Sequence, residues 1–436
     1  MRITLTSFLR PSVFGWALAL LAPAQTAFPA QPGATQPARW WKGNLHTHSL
    51  WSDGEDYPEM IVEWYKEQGY QFLALSDHNV LLQGPKWIVA TNNRGGDGAL
   101  RRYVERFGQH WVEQRWIQNT QMVRLKTLAE FRPLFEEPNR FLLIQAEEVT
   151  DHFMTQPVHM NATNLRDLIK PQGGQNVLDV LQRNMNALRA QRRFSGRPMI
   201  LHANHPNFGW AITAEDLMLL QGDRFFEVYS VHPLVHNEGD FDRPSVERMW
   251  DIILAFRLTQ LNLGVLYGLA VDDSHRYHSF QPTNSNPGRG WVMVNAPQLK
   301  PELLIAALEA GNFYSSTGVK LRDVRRGTNF LALTIEAEEG VSYTTQFIGT
   351  RVGFDPASEP GQRLPGSIHP VTRRYSETIG TVLAEVPGAS PFYVAKGDEI
   401  YVRAKVLSSK VKVNAPLVGE TEVAWTQPLV LARPRR

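Results

Sequence analysis

Histidines and acids that could bind a metal ion recur along this chain, and the first of them lie in the segment GNLHTHSLWSDG. His46 and His48 are two residues apart, so on a strand both imidazoles would point to the same face. Asp53 follows in a Ser-Asp-Gly turn, from which its carboxylate can reach the same place. Imidazole and carboxylate together are ligands for Zn²⁺, Mn²⁺ or Fe²⁺, so this segment predicts part of a metal site.

Similar residues follow the later apolar segments of the chain. LSDHN contains Asp77 and His78, and FLLIQAEEVT contains Glu147 and Glu148. The segments QPVHMN, ILHANHP and GLAVDDSH contribute the other candidates, which are His159, His202, His205, Asp272, Asp273 and His275. Because catalytic groups of parallel barrels gather at the carboxyl ends of the strands, we expect these residues to meet at one place.

The overall composition excludes several classes of site. The chain has 436 residues, no cysteine and 13 histidines, of which all but His369 lie between His46 and His278. The lack of cysteine excludes disulfides, thiol nucleophiles, iron–sulfur clusters and cysteine-based zinc sites. The 45 basic and 43 acidic residues nearly balance, so no nucleic-acid partner is expected.

Elements of an α/β fold must position these residues. Short apolar runs alternate with amphipathic stretches from Trp40 to about Gly318, which is typical of a parallel sheet with crossover helices. The predicted strands are GNLHTHS and residues 70–75, 141–145, 198–202, 225–229 and 265–271. The first predicted helix begins at Pro58, and the others cover residues 177–191, 246–263 and 301–310. An insertion at about 80–140 is either a packed excursion or a lid over the site.

The two ends of the chain differ from this α/β part. Residues 1–24 combine Arg2, Arg10, an apolar run and Ala22-Pro23-Ala24, which predicts a cleaved signal peptide, with a flexible lead-in at 25–39. The alternative is a membrane anchor, but the apolar run is too short to cross a bilayer, so we expect no transmembrane span in the mature chain. Residues 325–436 alternate β-like runs with Pro- and Gly-rich turns and predict a small β-sandwich.

The order HTHS, SDG, SDHN, EVT, NHP and DDSH resembles the PHP (polymerase and histidinol phosphatase) superfamily of metal-dependent phosphoesterases. The resemblance covers about Gly43 to Gly318. It implies a distorted (β/α)₇ barrel over residues 40–320 with a centre of two or three divalent ions. The residues that match the family's metal ligands are His46, His48, Asp53, His78, Glu148, His159, His205, Asp273 and His275.

The resemblance also implies how the ions would be shared. The first would be held by His46, His48, Glu148 and Asp273, the second by Glu148, His159 and His205, and the third by Asp53, His78 and His275. Glu148, His205 and Asp273 would take part in catalysis. Beside these residues, Asp77, Asp272 and His202 are expected to orient ligand imidazoles. Trp51, His232 and Arg289 are candidates for substrate contacts.

These observations predict an exported, secreted or periplasmic hydrolase of a small-molecule ester. Divalent ions lower the pKa of water, so a bridging hydroxide could attack phosphorus or a carbonyl carbon. A phosphoester is the first expectation. A carbamate or carboxylic ester is the alternative, because GRGWVMVNA and AALEAGNFYSSTG resemble proteins related to the carbaryl hydrolases. A metal- or carbohydrate-binding protein is the third interpretation, and the sequence does not determine the oligomeric state.

Overall fold

The computed structural model describes residues 37–222, 224–362 and 369–431. The predicted signal peptide and nearly all of the predicted lead-in lie outside the described residues. The helices in the described ranges are α1 (Pro58–Glu67), α2 (Gly96–Phe107), α3 (Leu128–Phe135), α4 (Val177–Ser195), α5 (Ala214–Leu219), α6 (Val246–Phe256) and α7 (Pro301–Glu309). None of them is long and apolar enough to cross a membrane.

The strands fall into two groups along the chain. The first group is β1 (Arg39–Asn44), β2 (Phe72–Leu75), β3 (Lys86–Val89), β4 (Gln114–Ile117), β5 (Thr120–Leu125), β6 (Leu142–Phe153), β7 (Gln156–Thr163), β8 (Ile200–Ala203), β9 (Phe225–Ser230), β10 (Tyr267–Val271), β11 (Trp291–Ala296) and β12 (Phe313–Ser316). The second group is β13 (Leu321–Arg326), β14 (Phe330–Ile335), β15 (Tyr343–Arg351), β16 (Ser358–Pro360), β17 (Arg373–Tyr375), β18 (Thr381–Pro387), β19 (Phe392–Val394), β20 (Glu399–Val411), β21 (Thr421–Thr426) and β22 (Leu429–Val430).

One large sheet contains the strands that carry the candidate ligands. Its order is β10-β9-β8-β7-β6-β2-β1-β11-β12-β21-β20-β15-β18, with β22 paired to β20. The strands β1, β2 and β6 are mutually parallel, as are β8, β9 and β10. All residues of β2, β8 and β9 are buried, as expected for apolar strands covered on both faces. The result is a mixed α/β fold with a large sheet.

The strand β7 departs from the expected parallel order. It pairs antiparallel with both β6 and β8, because β6 and β7 form a hairpin that turns at Met154, whose φ is 54°. The predicted parallel sheet is therefore wrong at β7. Closure of the sheet into a seven-stranded barrel stays a prediction.

The ends of α4 and α6 coincide with residues that typically cap or end a helix. The side chain of Asn176 accepts a hydrogen bond from the Asp179 N–H and caps α4, which ends at Gly196 with a φ of 67°. The predicted helix at 246–263 is shorter in the structure, because α6 continues only as a π-helical turn, Arg257–Leu261. Asn262 then adopts a left-handed conformation that an α-helix cannot continue.

The insertion at about 80–140 packs on α1 and contains a small antiparallel sheet of its own, in the order β3-β5-β4. The rings of Tyr57 and Tyr103 stack with centroids 4.0 Å apart. The buried carboxylate of Glu59 accepts hydrogen bonds from the Tyr103 hydroxyl at 2.6 Å and from the Trp111 indole at 2.9 Å. These contacts attach the inserted segment firmly to the helix that follows the Asp53 loop.

The β-rich part after residue 320 is joined to the α/β part through the large sheet. The strand β12 pairs antiparallel with β21, and the described residues group into one compact unit by their contacts. A buried ion pair adds to this junction, since Arg403 on β20 donates to both carboxylate oxygens of Asp251 on α6, at 2.9 and 2.7 Å. The predicted β-sandwich and its boundary at 320–325 stay predictions.

The Glu59→Gln substitution should make stability less sensitive to pH. Burial raises the pKa of Glu59 to about 7, although hydrogen bonds from Tyr103 and Trp111 oppose the shift. A raised folded-state pKa means that the stabilisation present at low pH is lost as pH rises through about 7. Between pH 5 and 8 we expect wild type to lose about 2 to 3 kcal/mol more than the variant.

Urea unfolding at the two pH values measures this difference. Glu67→Gln is the matched control, because Glu67 lies on the same helix but is exposed, and it should follow wild type. Equal pH dependence of wild type and Glu59→Gln would contradict the assignment.

Candidate metal centre

The nine side chains predicted as metal ligands lie together in one cluster. They come from loops after β1, β2, β8 and β10 and from the β6–β7 hairpin, and they are His46, His48, Asp53, His78, Glu148, His159, His205, Asp273 and His275. Segments far apart in sequence thus supply one site.

The spacing of the HxH segment predicts a strand, but in the structure this segment lies outside β1. The strand β1 ends at Asn44, whose side-chain oxygen accepts the His46 N–H at 2.8 Å and whose amide donates to Asp272 at 2.6 Å. A side chain thus takes the hydrogen bond that a neighbouring strand would otherwise accept. The two imidazoles still converge, because the His48 N–H donates to the carbonyl of Ser274 in the loop after β10.

Glu148 and His159 lie within strands rather than after them. The register pairs Thr150 with His159, and Glu148 is two residues from Thr150, so both side chains project from the same face of the hairpin. His159 Nδ1 lies 3.0 Å from Glu148 Oε1. The expectation that Glu148 follows the end of its strand is wrong, because the hairpin extends β6 to Phe153.

Two carboxylates face the imidazoles of His46 and His48. The Nε2 atoms of the two histidines are 3.0 Å apart. Asp273 Oδ1 lies 3.1 Å from each of these atoms, and Glu148 Oε2 lies 3.3 Å from the first and 3.2 Å from the second. Both imidazole nitrogens therefore face a carboxylate oxygen from Asp273 and another from Glu148.

Asp53 is the centre of a second group. Its Oδ1 lies 3.3 Å from His275 Nε2, 3.5 Å from His78 Nε2 and 3.8 Å from His48 Nδ1. This side of the cluster is more open, with 35% of the Asp53 side chain and 25% of the His78 side chain exposed. It is the side from which solvent reaches the ligands.

His205 completes the cluster from the loop after β8. Its Nε2 lies 3.6 Å from Glu148 Oε1 and 3.9 Å from Asp273 Oδ2. Both His205 and Asp273 have positive φ angles, 22° and 47°, which non-glycine residues seldom adopt. Such backbone strain costs about 1 to 3 kcal/mol per residue and persists where the surrounding structure imposes it.

The electrostatics of the cluster favour a cation. Burial alone would raise the pKa of Glu148, but the imidazoles of His78, His46 and His159 outweigh it and lower that pKa well below its usual value. Burial would lower the pKa of His48, yet Asp273 and Glu148 raise it to about 10. The carboxylates thus stay ionised and attract positive charge, which protons supply when no metal is bound.

The donor set fits divalent metal ions. Glu148 Oε2 and Asp53 Oδ1 are buried and, among the described residues, accept no hydrogen bond, although imidazole nitrogens lie around both. Such oxygens are costly to bury unless a cation binds them. Groups of ligand atoms within 4.8 Å of one another include His46 with His48 and Asp273, and Asp53 with His48, His78 and His275.

Glu227 on β9 contacts two of the predicted ligands, although the predicted ligand set did not include it. Its Oε1 lies 2.7 Å from His46 Nδ1 and 3.2 Å from His202 Nε2, and its Oε2 accepts the His205 N–H at 2.8 Å. Because a carboxylate only accepts, it favours a proton on His46 Nδ1 and leaves Nε2 free for a metal. His202 lies beside this contact, and its Nε2 faces the same Glu227 oxygen as His46 Nδ1 does.

Asp77 and Asp272 accept hydrogen bonds from the loops that carry the ligands. Asp77 accepts from the Ser49 N–H, the Ser49 hydroxyl and the Ser52 hydroxyl, and so holds the loop after the HxH segment. The Ser52 hydroxyl lies 3.5 Å from His48 Nδ1. Asp272 accepts from Asn44 and from the N–H groups of residues 288–290. Their role in orienting ligand imidazoles stays a prediction.

The three candidates for substrate contact have different surroundings. Trp51 and Arg289 are each only 2% exposed. The Trp51 indole donates to the carbonyl of Lys126, and the Arg289 guanidinium donates to carbonyls including that of Asn414. The donors of both side chains are therefore used in hydrogen bonds within the fold. His232 alone lies at the cluster, with its ring centroid 5.5 Å from that of His275.

Asn204 was also missed, although it directly precedes His205. Its amide donates to Glu148 Oε1 at 2.8 Å and to Asn161 at 3.0 Å. It therefore fixes the orientation of the carboxylate that contacts the most imidazoles. Its position in the segment HANHP, next to a predicted ligand, was the sequence signal that could have indicated this role.

Comparisons with known proteins find likenesses to solved structures, including the following two. No family model and no curated protein matches the chain. A two-domain protein from Bacteroides vulgatus, which contains a predicted PHP-like metal-dependent phosphoesterase, is 16% identical with a TM-score of 0.38 over 90% of this chain and 96% of that chain. A candidate metal-dependent phosphoesterase from Bifidobacterium adolescentis is 14% identical with a TM-score of 0.26, over 54% of this chain and 88% of that chain.

The Glu227→Gln substitution should weaken metal binding about 10- to 100-fold. In either orientation of the amide, its NH₂ group would face a donor, either His46 Nδ1–H or the His205 N–H. Competition against a chromophoric chelator measures the affinity. The exposed Glu238→Gln is the matched control and should bind as wild type does. Wild-type affinity in Glu227→Gln would show that this carboxylate does not orient the ligand.

Proposed function

We propose that this chain is a metal-dependent hydrolase of phosphoesters. The observation that carries the proposal is the convergence of six imidazoles and three carboxylates from four loops and the β6–β7 hairpin. Two carboxylate oxygens of this cluster are buried and accept no hydrogen bond among the described residues. The order of the motifs resembles the PHP superfamily, and the convergence of the matching residues supports the proposal. Binding proteins that sequester metal usually concentrate histidines in low-complexity loops, which is not the pattern in this sequence.

The ions would be shared as the resemblance implies. His46, His48 and Asp273 form one group of ligand atoms, and Asp53, His78 and His275 form another together with His48. Glu148 Oε2 faces the imidazoles of His46 and His48. Glu148 faces both His159 and His205 through its Oε1 and the HxH pair through its Oε2, which supports a bridging role. Nitrogen and oxygen donors without sulfur suit zinc, manganese or iron, in two or three sites.

Bound divalent ions would supply a nucleophile from water and stabilise the charge that develops on the ester. The chain's own residues set the geometry of the reaction. Glu148 and Asp273 remain ionised because surrounding histidines lower their pKa values despite burial, and they would hold the cations. His205 is held by the hydrogen bond from its N–H to Glu227, which places its ring beside both carboxylates.

His232 would present a hydrogen-bond donor to the substrate. Burial lowers its pKa to about 4, so its imidazole is neutral near pH 7. The Leu234 N–H donates to Nδ1, which places the remaining proton on Nε2. A neutral donor at the edge of the cluster can bind an ester oxygen without adding charge. Phe208 lies between His205 and His232, with centroids 4.9 and 5.5 Å away, and supplies an apolar surface there.

A carbamate or carboxylic ester hydrolase is the second candidate. The resemblance of GRGWVMVNA and of residues 306–318 to proteins related to the carbaryl hydrolases favours it, and the aromatic ring of Phe208 suits an aryl ester. Either activity would belong to an exported protein, secreted or periplasmic, because residues 1–24 have the pattern of a signal peptide.

The substitutions His46→Ala and His78→Ala should each lower kcat/KM by more than about 100-fold, because each removes a ligand from a different side of the centre. The reconstituted chain is assayed on aryl phosphate mono- and diesters, aryl carbamates and aryl acetates, with metal content from elemental analysis. His110→Ala is the matched control, since His110 is exposed and outside the cluster.

Circular dichroism verifies that each variant is folded. Less than one ion per wild-type chain, or full activity in both ligand variants, would refute the metal centre. Turnover of carbamates alone would replace the phosphoesterase with the second candidate.

A further inference from the structure

Arg94 lies at the open side of the cluster although it belongs to the insertion. Its Nη2 is 4.0 Å from Asp53 Oδ2, while Asp53 Oδ1 faces the imidazoles of His48, His78 and His275. The side chain is 56% exposed, and among the described residues it makes no hydrogen bond. The cation therefore stands just outside the ligands, with its donors available.

A structured turn holds Arg94 in place. The Asn93 amide donates to the carbonyls of Val89 and Ala90 at 2.7 and 2.9 Å. Its side-chain oxygen accepts the N–H groups of Gly95 and Gly96 at 2.9 and 3.0 Å. The half-buried side chain of Asn93 thus fixes the backbone on both sides of Arg94. This limits the positions that the guanidinium can reach.

This turn also packs directly against the loop that carries Asp53. A Cβ atom built on Gly95 would lie 2.3 Å from the carbonyl oxygen of Glu55, so only glycine permits this approach. On the other side of the loop, the Lys86 ammonium of β3 donates to the carbonyl of Trp51. The insertion therefore contacts the Asp53 loop at two points. These backbone contacts determine the position of Arg94 relative to the predicted metal ligands.

We infer that Arg94 binds the anionic group of the substrate and makes the insertion a specificity element for charged over neutral esters; this rests on the proposed function. Guanidinium forms bidentate, charge-assisted hydrogen bonds with phosphate oxygens. Asp53 directs one oxygen at the imidazoles and the other at Arg94, so a metal bound on the first side leaves the guanidinium free to face an entering anion. The exposure of Arg94 allows this contact without rearrangement.

The test compares Arg94→Ala and Arg94→Lys with wild type, all as full chains reconstituted with Mn²⁺. Isothermal titration with inorganic phosphate measures anion binding directly. We expect about tenfold weaker binding in Arg94→Ala, and partial recovery in Arg94→Lys, which keeps the charge but not the planar fork. The ratio of kcat/KM for an aryl phosphate to that for an aryl acetate should fall by about the same factor.

Arg101→Ala is the matched control, because Arg101 lies on α2 of the same insertion and is 74% exposed, and within the described part of the chain its one ion pair is with Glu105. It should retain the wild-type phosphate affinity and ratio. Equal phosphate affinity in Arg94→Ala and wild type would overturn the inference, even if phosphoesters are hydrolysed. Loss of bound Mn²⁺ from Arg94→Ala would also overturn it, because Arg94 would then merely support Asp53. A wild type that hydrolyses no ester refutes the proposed function, while phosphate titration still decides the role of Arg94.

Discussion

Ionisable groups removed from water are the constraint on which the rest of this structure depends. Four carboxylates and seven imidazoles occupy one cluster, and most of them are buried. Such an arrangement is stable only where opposite charges alternate and the backbone fixes their separations. The large sheet meets this requirement by bringing loop after loop to one place, and buried amides such as Asn44 and Asn204 hold individual ligands. Elements with no ligand of their own, such as α1 and the insertion, hold the Asp53 loop from outside.

The candidate ligands could be predicted from the sequence, because each lies in or next to an apolar run that indicates a strand. The antiparallel direction of β7 could not be predicted in this way. The hairpin between β6 and β7 turns at Met154, without the Asn-Gly or Asp-Gly pair that usually signals such a turn. The HxH segment was assigned to a strand because its alternation is correct. Only the long-range contact of Asn44 with Asp272 shows why the strand ends earlier.

Residues that support the centre were harder to predict, since their partners are distant in sequence. Glu227 lies in the apolar strand FFEVYS, and His46, which it contacts, is 181 residues away. Asp77 and Asp272 are predicted to orient imidazoles because each adjoins a histidine or a predicted ligand. In the structure both carboxylates accept hydrogen bonds from loop N–H groups, and adjacency in sequence does not indicate these partners. Arg94 had no local signal, because its relation to Asp53 exists only once the insertion has packed.

The contact between Asn44 and Asp272 joins residues 228 positions apart, and this separation determines when the centre can form. During synthesis His46 and His48 emerge early, but Asp273 and His275 follow only after most of the α/β part. Closing so long a loop is entropically costly, so we expect it among the last steps of folding. A metal that requires all these ligands cannot bind tightly to an incomplete chain. If the proposed ions bind, their binding energy would be available to drive this final step, and metal supply would affect how much folded protein accumulates.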